Sequence, residues 1–161
     1  MEIGEQGRPS TRFTKSFRER HRAENDRITV VEDVGATLIE GGLLQFPLVA
    51  KRKKSIRPKH FTTQQMISRA GFLNANLGLL DAEFLVKNQQ LIPVKLQACM
   101  LVFTGAKVTR GNEPDLFFPV LIYCYDRLKG HKCWSLIYRL VESDWSGPFR
   151  FVSRKETLSN Q

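Results

Sequence analysis

The chain has 161 residues, 42% of them hydrophobic and 25% charged, with 25 Lys and Arg against 16 Asp and Glu and a formal net charge of +9. That is one domain's worth of chain, and with 11 Phe it is too apolar for whole-chain disorder. No run reaches the ~20 apolar residues of a membrane-spanning helix, and Met1 to Ser16 has no apolar stretch of the signal-peptide kind, so a soluble intracellular protein is expected.

Residues 1–27 mix Arg, Glu, Ser and Thr around Phe13 and Phe17, which reads as a polar, basic and flexible arm, with Arg18, Arg20 and Arg22 as a secondary basic contact. From Ile28 the texture changes, and residues 28–155 read as a single α+β domain followed by a short tail, 156–161. Ile28 to Val34 reads as a strand. Ala36 to Glu40 and Leu43 to Val49 flank Gly41-Gly42, which predicts a tight hairpin, with Pro47 confining the second strand to an edge or an early end.

Lys51 to His60 holds six Lys and Arg and no acid, two thirds of the net charge in ten residues. Pro58 makes it a surface loop rather than part of a sheet. Its cations, Lys51, Arg52, Lys53, Lys54, Arg57 and Lys59, suit phosphates, whether of RNA or of anionic lipid headgroups. Lys51 to Lys54 also fits a nuclear import signal, and the bland alternative is a solvated loop.

Thr62 with Gln65 forms a capping box, and Phe61 stands where a hydrophobic staple meets Met66. Behind it Met66, Ala70, Leu73, Leu77 and Leu80 recur at steps of three and four, predicting one principal amphipathic helix from Thr62 to about Leu80 that packs on a sheet. Strands are then expected at Ala82 to Val86, Val94 to Thr104, Pro119 to Tyr125, Trp134 to Val141 and Phe149 to Ser153. Arg110 to Leu116 reads as an exposed turn, Lys129-Gly130-His131 as a second hairpin turn and Ser143 to Pro148 as a third. Trp134, Leu136, Tyr138 and Leu140 alternate with Ser135 and Arg139, which predicts a mostly antiparallel sheet with one wet face.

Candidates for chemistry are sparse. Cys99, Cys124 and Cys133 form no C-x-x-C pair, suit a reducing compartment, and at 99 and 124 read as buried hydrophobes. His131 with Cys133 is half a metal site without a second half, so no metal and no cofactor is expected. Asp81 with Glu83 and Glu142 with Asp144 read as solvated loop or strand-end charges, and Asp126 with Arg127 as a turn or a surface ion pair. No phosphate-loop, dinucleotide, nucleophile-elbow or zinc-protease motif occurs, and no catalytic residue is nominated. The aromatics from Phe117 to Phe151 fit either a core or a base-stacking sheet, with Trp145 in Ser-Asp-Trp-Ser-Gly as the exposed candidate contact.

The order of a polar basic arm, a strand at Leu43 to Val49, the basic segment Lys51 to His60, the helix from Thr62 and late strands around Trp145-Ser146-Gly147 resembles that of rhabdovirus matrix proteins. The resemblance covers Leu43 to the end and is one of order and size; the arm has no Pro-Pro-x-Tyr segment. It implies a non-enzymatic viral structural protein that self-associates in virion assembly, binds viral nucleoprotein or RNA and touches the inner face of an anionic membrane in the host cytoplasm. Val102-Phe103-Thr104-Gly105-Ala106, Val120 to Asp126-Arg127 and Phe149-Arg150-Phe151 are also similar to elements of the thirty-kilodalton superfamily of plant-virus movement proteins. That second resemblance implies binding of single-stranded RNA in movement or silencing suppression.

Overall fold

Two ten-residue runs of alternating large side chains set the frame. In the computed structural model, which describes residues 28–35, 43–50 and 60–155, Phe117–Asp126 and His131–Leu140 pair antiparallel from Phe117↔Leu140 to Asp126↔His131. Taken in chain order, these are β5 and β6 of eight strands among the described residues: β1 Ile28–Asp33, β2 Leu44–Gln45, β3 Met100–Val102, β4 Ala106–Arg110, β5, β6, β7 Phe149–Phe151 and β8 Ser153–Arg154. The α-helices among the described residues are α1, Thr63–Phe72, and α2, Leu79–Lys87.

The other edge of β5 is shared. β4 meets it at Val108↔Phe117 and carries β1 outside it, with a bulge between Val30 and Glu32. β3 pairs with it from Met100↔Ile122 to Val102↔Val120, and β7 lies parallel to β3 beyond. β2 and β8 form a separate two-stranded ladder. The fold is thus α+β with a mainly antiparallel sheet, as composition and pattern imply.

The sheet is covered on both faces, which corrects the expectation of one wet face. Alternation along β5 sends Phe118 and Val120 to one side, where they join Val102, Ile137, Phe149 and Phe151 beneath Met66 and Ala70 of α1. Leu121 goes to the other side with Leu101, Phe103 and Trp134, beneath Ala82 and Leu85 of α2. Ser135 and Arg139 lie on the α1 side and are half-buried.

The single long helix is corrected to two. Thr62 accepts from the Gln65 N–H while the Gln65 side chain accepts from the Thr62 N–H, so the capping box starts α1 where expected. Phe61 packs against the cluster that contains Met66. At its other end Asn74 takes a left-handed φ of 49° and Ala75 N–H donates to Ala70 O, which reverses the chain. Asp81 then reaches back to the Gly78 N–H and α2 begins. Ala82 to Val86, expected as a strand, is therefore helix, and Asp81, expected to be solvated, is buried.

Val94 to Thr104 contributes a short 3₁₀ turn, Val94–Leu96, behind Pro93 before β3 begins. Ser143 to Pro148 is not a hairpin: the chain crosses from the end of β6 to enter β7, which pairs with β3 instead. β4 was absent from the sequence expectations. The exposed turn at Arg110 to Leu116 and the hairpin turn around Gly130 are present, with Gly111 and Gly130 at positive φ. Of the expected Gly41-Gly42 hairpin, residues 36–42 lie outside the described residues, as do 1–27 and 156–161.

Three backbones cross at one point. Gly105 N–H donates to Leu77 O at 2.9 Å and Val34 N–H donates to Gly105 O at 3.0 Å. A β-carbon at Gly105 would collide with the Asn76 and Leu77 carbonyl oxygens, and neither can swing away. Gly105→Ala is accordingly expected to cost at least about 1–3 kcal/mol, read as a fall in the urea midpoint without a change in slope.

Candidate anion-binding site

The strongest chemical feature of the sequence is its basic segment, and what the structure fixes is how that segment is held. On one side, Phe151 N–H donates to Pro47 O and Val49 N–H to Phe149 O, while Leu48 bridges Arg150 and accepts from Arg69 Nε at 2.9 Å. Val49 and Ala50 are buried. On the other side, Phe61 N–H donates to Asp144 Oδ1 at 3.2 Å and Trp145 N–H to Phe61 O at 2.9 Å. Both flanks of residues 51–59 therefore attach to the stretch Asp144 to Phe151. Lys51, Arg52, Lys53, Lys54, Arg57 and Lys59 themselves lie outside the described residues, as do Arg18, Arg20 and Arg22.

Trp145 is the corrected member of the expected set. Its side chain is fully buried, packed edge-on against Phe118 and Phe149 at centroid distances of 5.9 and 5.0 Å. The indole N–H donates to Val141 O at 3.1 Å and to Thr63 Oγ1 at 3.4 Å, so its polar atom is satisfied inside the core. A Trp between Ser, Asp and Gly looks like a loop tip in sequence; here the loop folds back over the sheet and the indole fills the space under α1. Phe117, Phe118, Phe149 and Phe151 are also buried, which corrects the base-stacking reading for them; Tyr125 alone of the strand aromatics in question is exposed.

Around Trp145 the electrostatics are local. The Arg139 guanidinium lies over the Trp145 and Phe149 rings, 5.3 and 5.0 Å from their centroids, and donates to Asp144 O. Desolvation lowers its pKa from the ordinary arginine value, and the Asp144 carboxylate partly offsets this. Bonds from the Ser146 side chain and backbone and the Phe61 N–H hold the Asp144 carboxyl below the usual range, with His60 adding to the effect. Asp144 is thus a clamp between the start of α1 and the β6–β7 connection. On the far side of the sheet, burial first and Glu83 second raise the Tyr138 phenol.

Among the described cations outside the sequence candidates, Arg127, Lys129 and Lys132 are exposed together around the β5–β6 turn. Asp126-Arg127, read in sequence as a turn or an ion pair, closes that turn: Asp126 Oδ1 accepts from Leu128 N–H at 2.8 Å and Lys129 N–H at 3.3 Å. The signal available in sequence was the spacing of basic residues around a lone leucine in a predicted turn. Cys99 and Cys124 are half-buried rather than buried, and Cys133 is the buried one. No cluster of three or more potential metal ligands occurs among the described residues. No helix among them is long and apolar enough to cross a membrane. No protein-family model, curated protein or solved structure matches the chain.

Two outcomes follow from this geometry. Trp145→Ala should cost about 3–5 kcal/mol in chemical denaturation, as expected for emptying a buried aromatic site and unlike the near-zero effect at an exposed contact. Asp144 has a folded-state pKa below its unfolded value, so its contribution is complete above the ordinary aspartate pKa of about 3.9 and is lost as the pH falls through the lower folded value. Asp144→Ala should therefore lower the melting temperature at neutral pH, and the gap to the unsubstituted protein should narrow when melts are repeated below about pH 4.

Proposed function

We propose that this is a non-enzymatic viral structural protein of the matrix type, which binds phosphates through its basic segment and associates with itself during virion assembly. The observation that carries the reading is the segment itself: six cations and no carboxylate in ten residues, tethered at both flanks to one stretch of the sheet margin. Several cations meeting a polyanion at once displace its condensed counterions into solution, which favours binding at low salt. The phosphates would be those of nucleocapsid RNA or of the inner leaflet of a host membrane. A role at the cytoplasmic face of the membrane fits the resemblance to rhabdovirus matrix proteins, which supplies the viral and assembly part of the proposal.

Self-association has a candidate surface in the outer edge of β6, against which no strand pairs among the described residues. Gln89 occupies part of that edge, accepting from Trp134 N–H at 2.9 Å and donating to Trp134 O at 3.0 Å. Farther along, Leu136 and Tyr138 fall at the same outward-facing alternation as Trp134. The single-stranded RNA reading keeps the phosphate contacts but loses most of its support for stacking, since Trp145 and the strand phenylalanines lie in the core and Tyr125 is the exposed aromatic that remains.

The test is a charge-reversed protein, Lys51→Glu with Lys53→Glu and Lys54→Glu, measured for RNA affinity and for vesicle flotation across a salt series. Loss of three phosphate contacts should reduce the log–log salt slope on single-stranded RNA by about 2. Binding to anionic vesicles should fall at least about fivefold per charge removed. Unchanged binding to both RNA and lipid would overturn the proposal.

A further inference from the structure

The β5–β6 hairpin extends beyond the rest of the sheet. β3 stops pairing with β5 at Ile122, whereas β6 continues to Asp126↔His131, so a two-stranded ribbon runs on for four more residues, about 13 Å at strand rise. Its turn is internally braced: the Asp126 carboxylate accepts from Leu128 and Lys129, Gly130 N–H donates to Asp126 O at 2.8 Å, and Gly130 supplies the positive φ. The brace presents Leu128 to solvent at 82% exposure, with Tyr125 half-exposed below it. Arg127 and Lys129 flank the leucine in the chain and Lys132 lies across from Tyr125, all three exposed, and neither ion pair among the described residues involves them.

We infer that this tip is a membrane wedge: Leu128 inserts into an anionic bilayer while Arg127, Lys129 and Lys132 lie at headgroup level and Tyr125 sits at the interface. An exposed apolar residue at the turn with cations on either side of it in the chain matches a surface with a charged skin and an apolar interior, in that order of depth. RNA phosphates satisfy the cations but give the leucine nothing. The inference rests on the reading of an anionic partner and narrows it to lipid.

The test uses the full chain carrying Leu128→Trp, whose emission reports insertion because the native indoles at 134 and 145 are buried. Vesicles of phosphatidylcholine alone, or with about a third phosphatidylserine, are compared with single-stranded RNA. The wedge predicts a blue shift with the anionic vesicles only, quenching by lipids brominated in the acyl chains, and about tenfold weaker flotation for Leu128→Gln. Arg127→Glu with Lys129→Glu should weaken flotation at least about fivefold per charge. Flotation without a blue shift, or with Leu128→Gln unaffected, would overturn the wedge while leaving the basic-segment reading intact. A blue shift that persists in the Lys51, Lys53 and Lys54 charge-reversed background would separate the wedge from that reading and support it alone. A spectral change with RNA but none with anionic vesicles would overturn the wedge in favour of a nucleic-acid contact.

Discussion

The register between β5 and β6 is the constraint on which the rest of the molecule depends. Ten paired positions settle which side of the sheet every residue of both strands faces, and a slip of one would exchange the two cores. Because β5 is longer than any strand on its other edge, it is also the element against which β3 and β4 take their positions. Both helices follow, α1 over the face that holds Phe118 and Ile137 and α2 over the face that holds Leu121 and Trp134. The length of the pairing then does something further: it carries the turn past the body of the sheet and leaves Leu128 and its cations projecting.

Trp145 and Asp144 show how neighbouring residues of one loop divide the work of holding the basic segment. The indole fixes the loop to the core from below, and the carboxylate fixes the chain just before α1 from above. Arg139, stacked on two rings and bonded to the Asp144 carbonyl, joins the two. The flanks of the cationic segment are therefore set by packing and by short-range hydrogen bonds, whereas the binding proposed for the segment would be long-range and screened by salt.

The class of fold was legible from alternation in β5 and β6 and from the Thr62 capping box, both of which are local signals. Less legible was where the helical pattern stopped. Leu77 and Leu80 continued the spacing of Met66 and Ala70, yet Asn74 turns the chain and Leu77 serves the opposite core, so a shared period concealed a change of direction. β4 was missed because Ala-Lys-Val-Thr-Arg carries only one large apolar residue, and it is Gly105 and the register with β1 that place it. Trp145 misled for a related reason: its turn-like neighbours describe the backbone's path and say nothing of what the loop lies upon. The cationic segment was evident from counting alone, whereas the basic hairpin tip required knowing that β6 outruns β3.

Binding to an anionic surface is the central claim, and flotation of the unsubstituted protein through a salt series tests it most directly. The account predicts flotation with anionic vesicles at low salt, its progressive loss as salt is raised, and none with neutral vesicles at any salt. Equal flotation with neutral vesicles, or none with anionic vesicles at low salt, would contradict it.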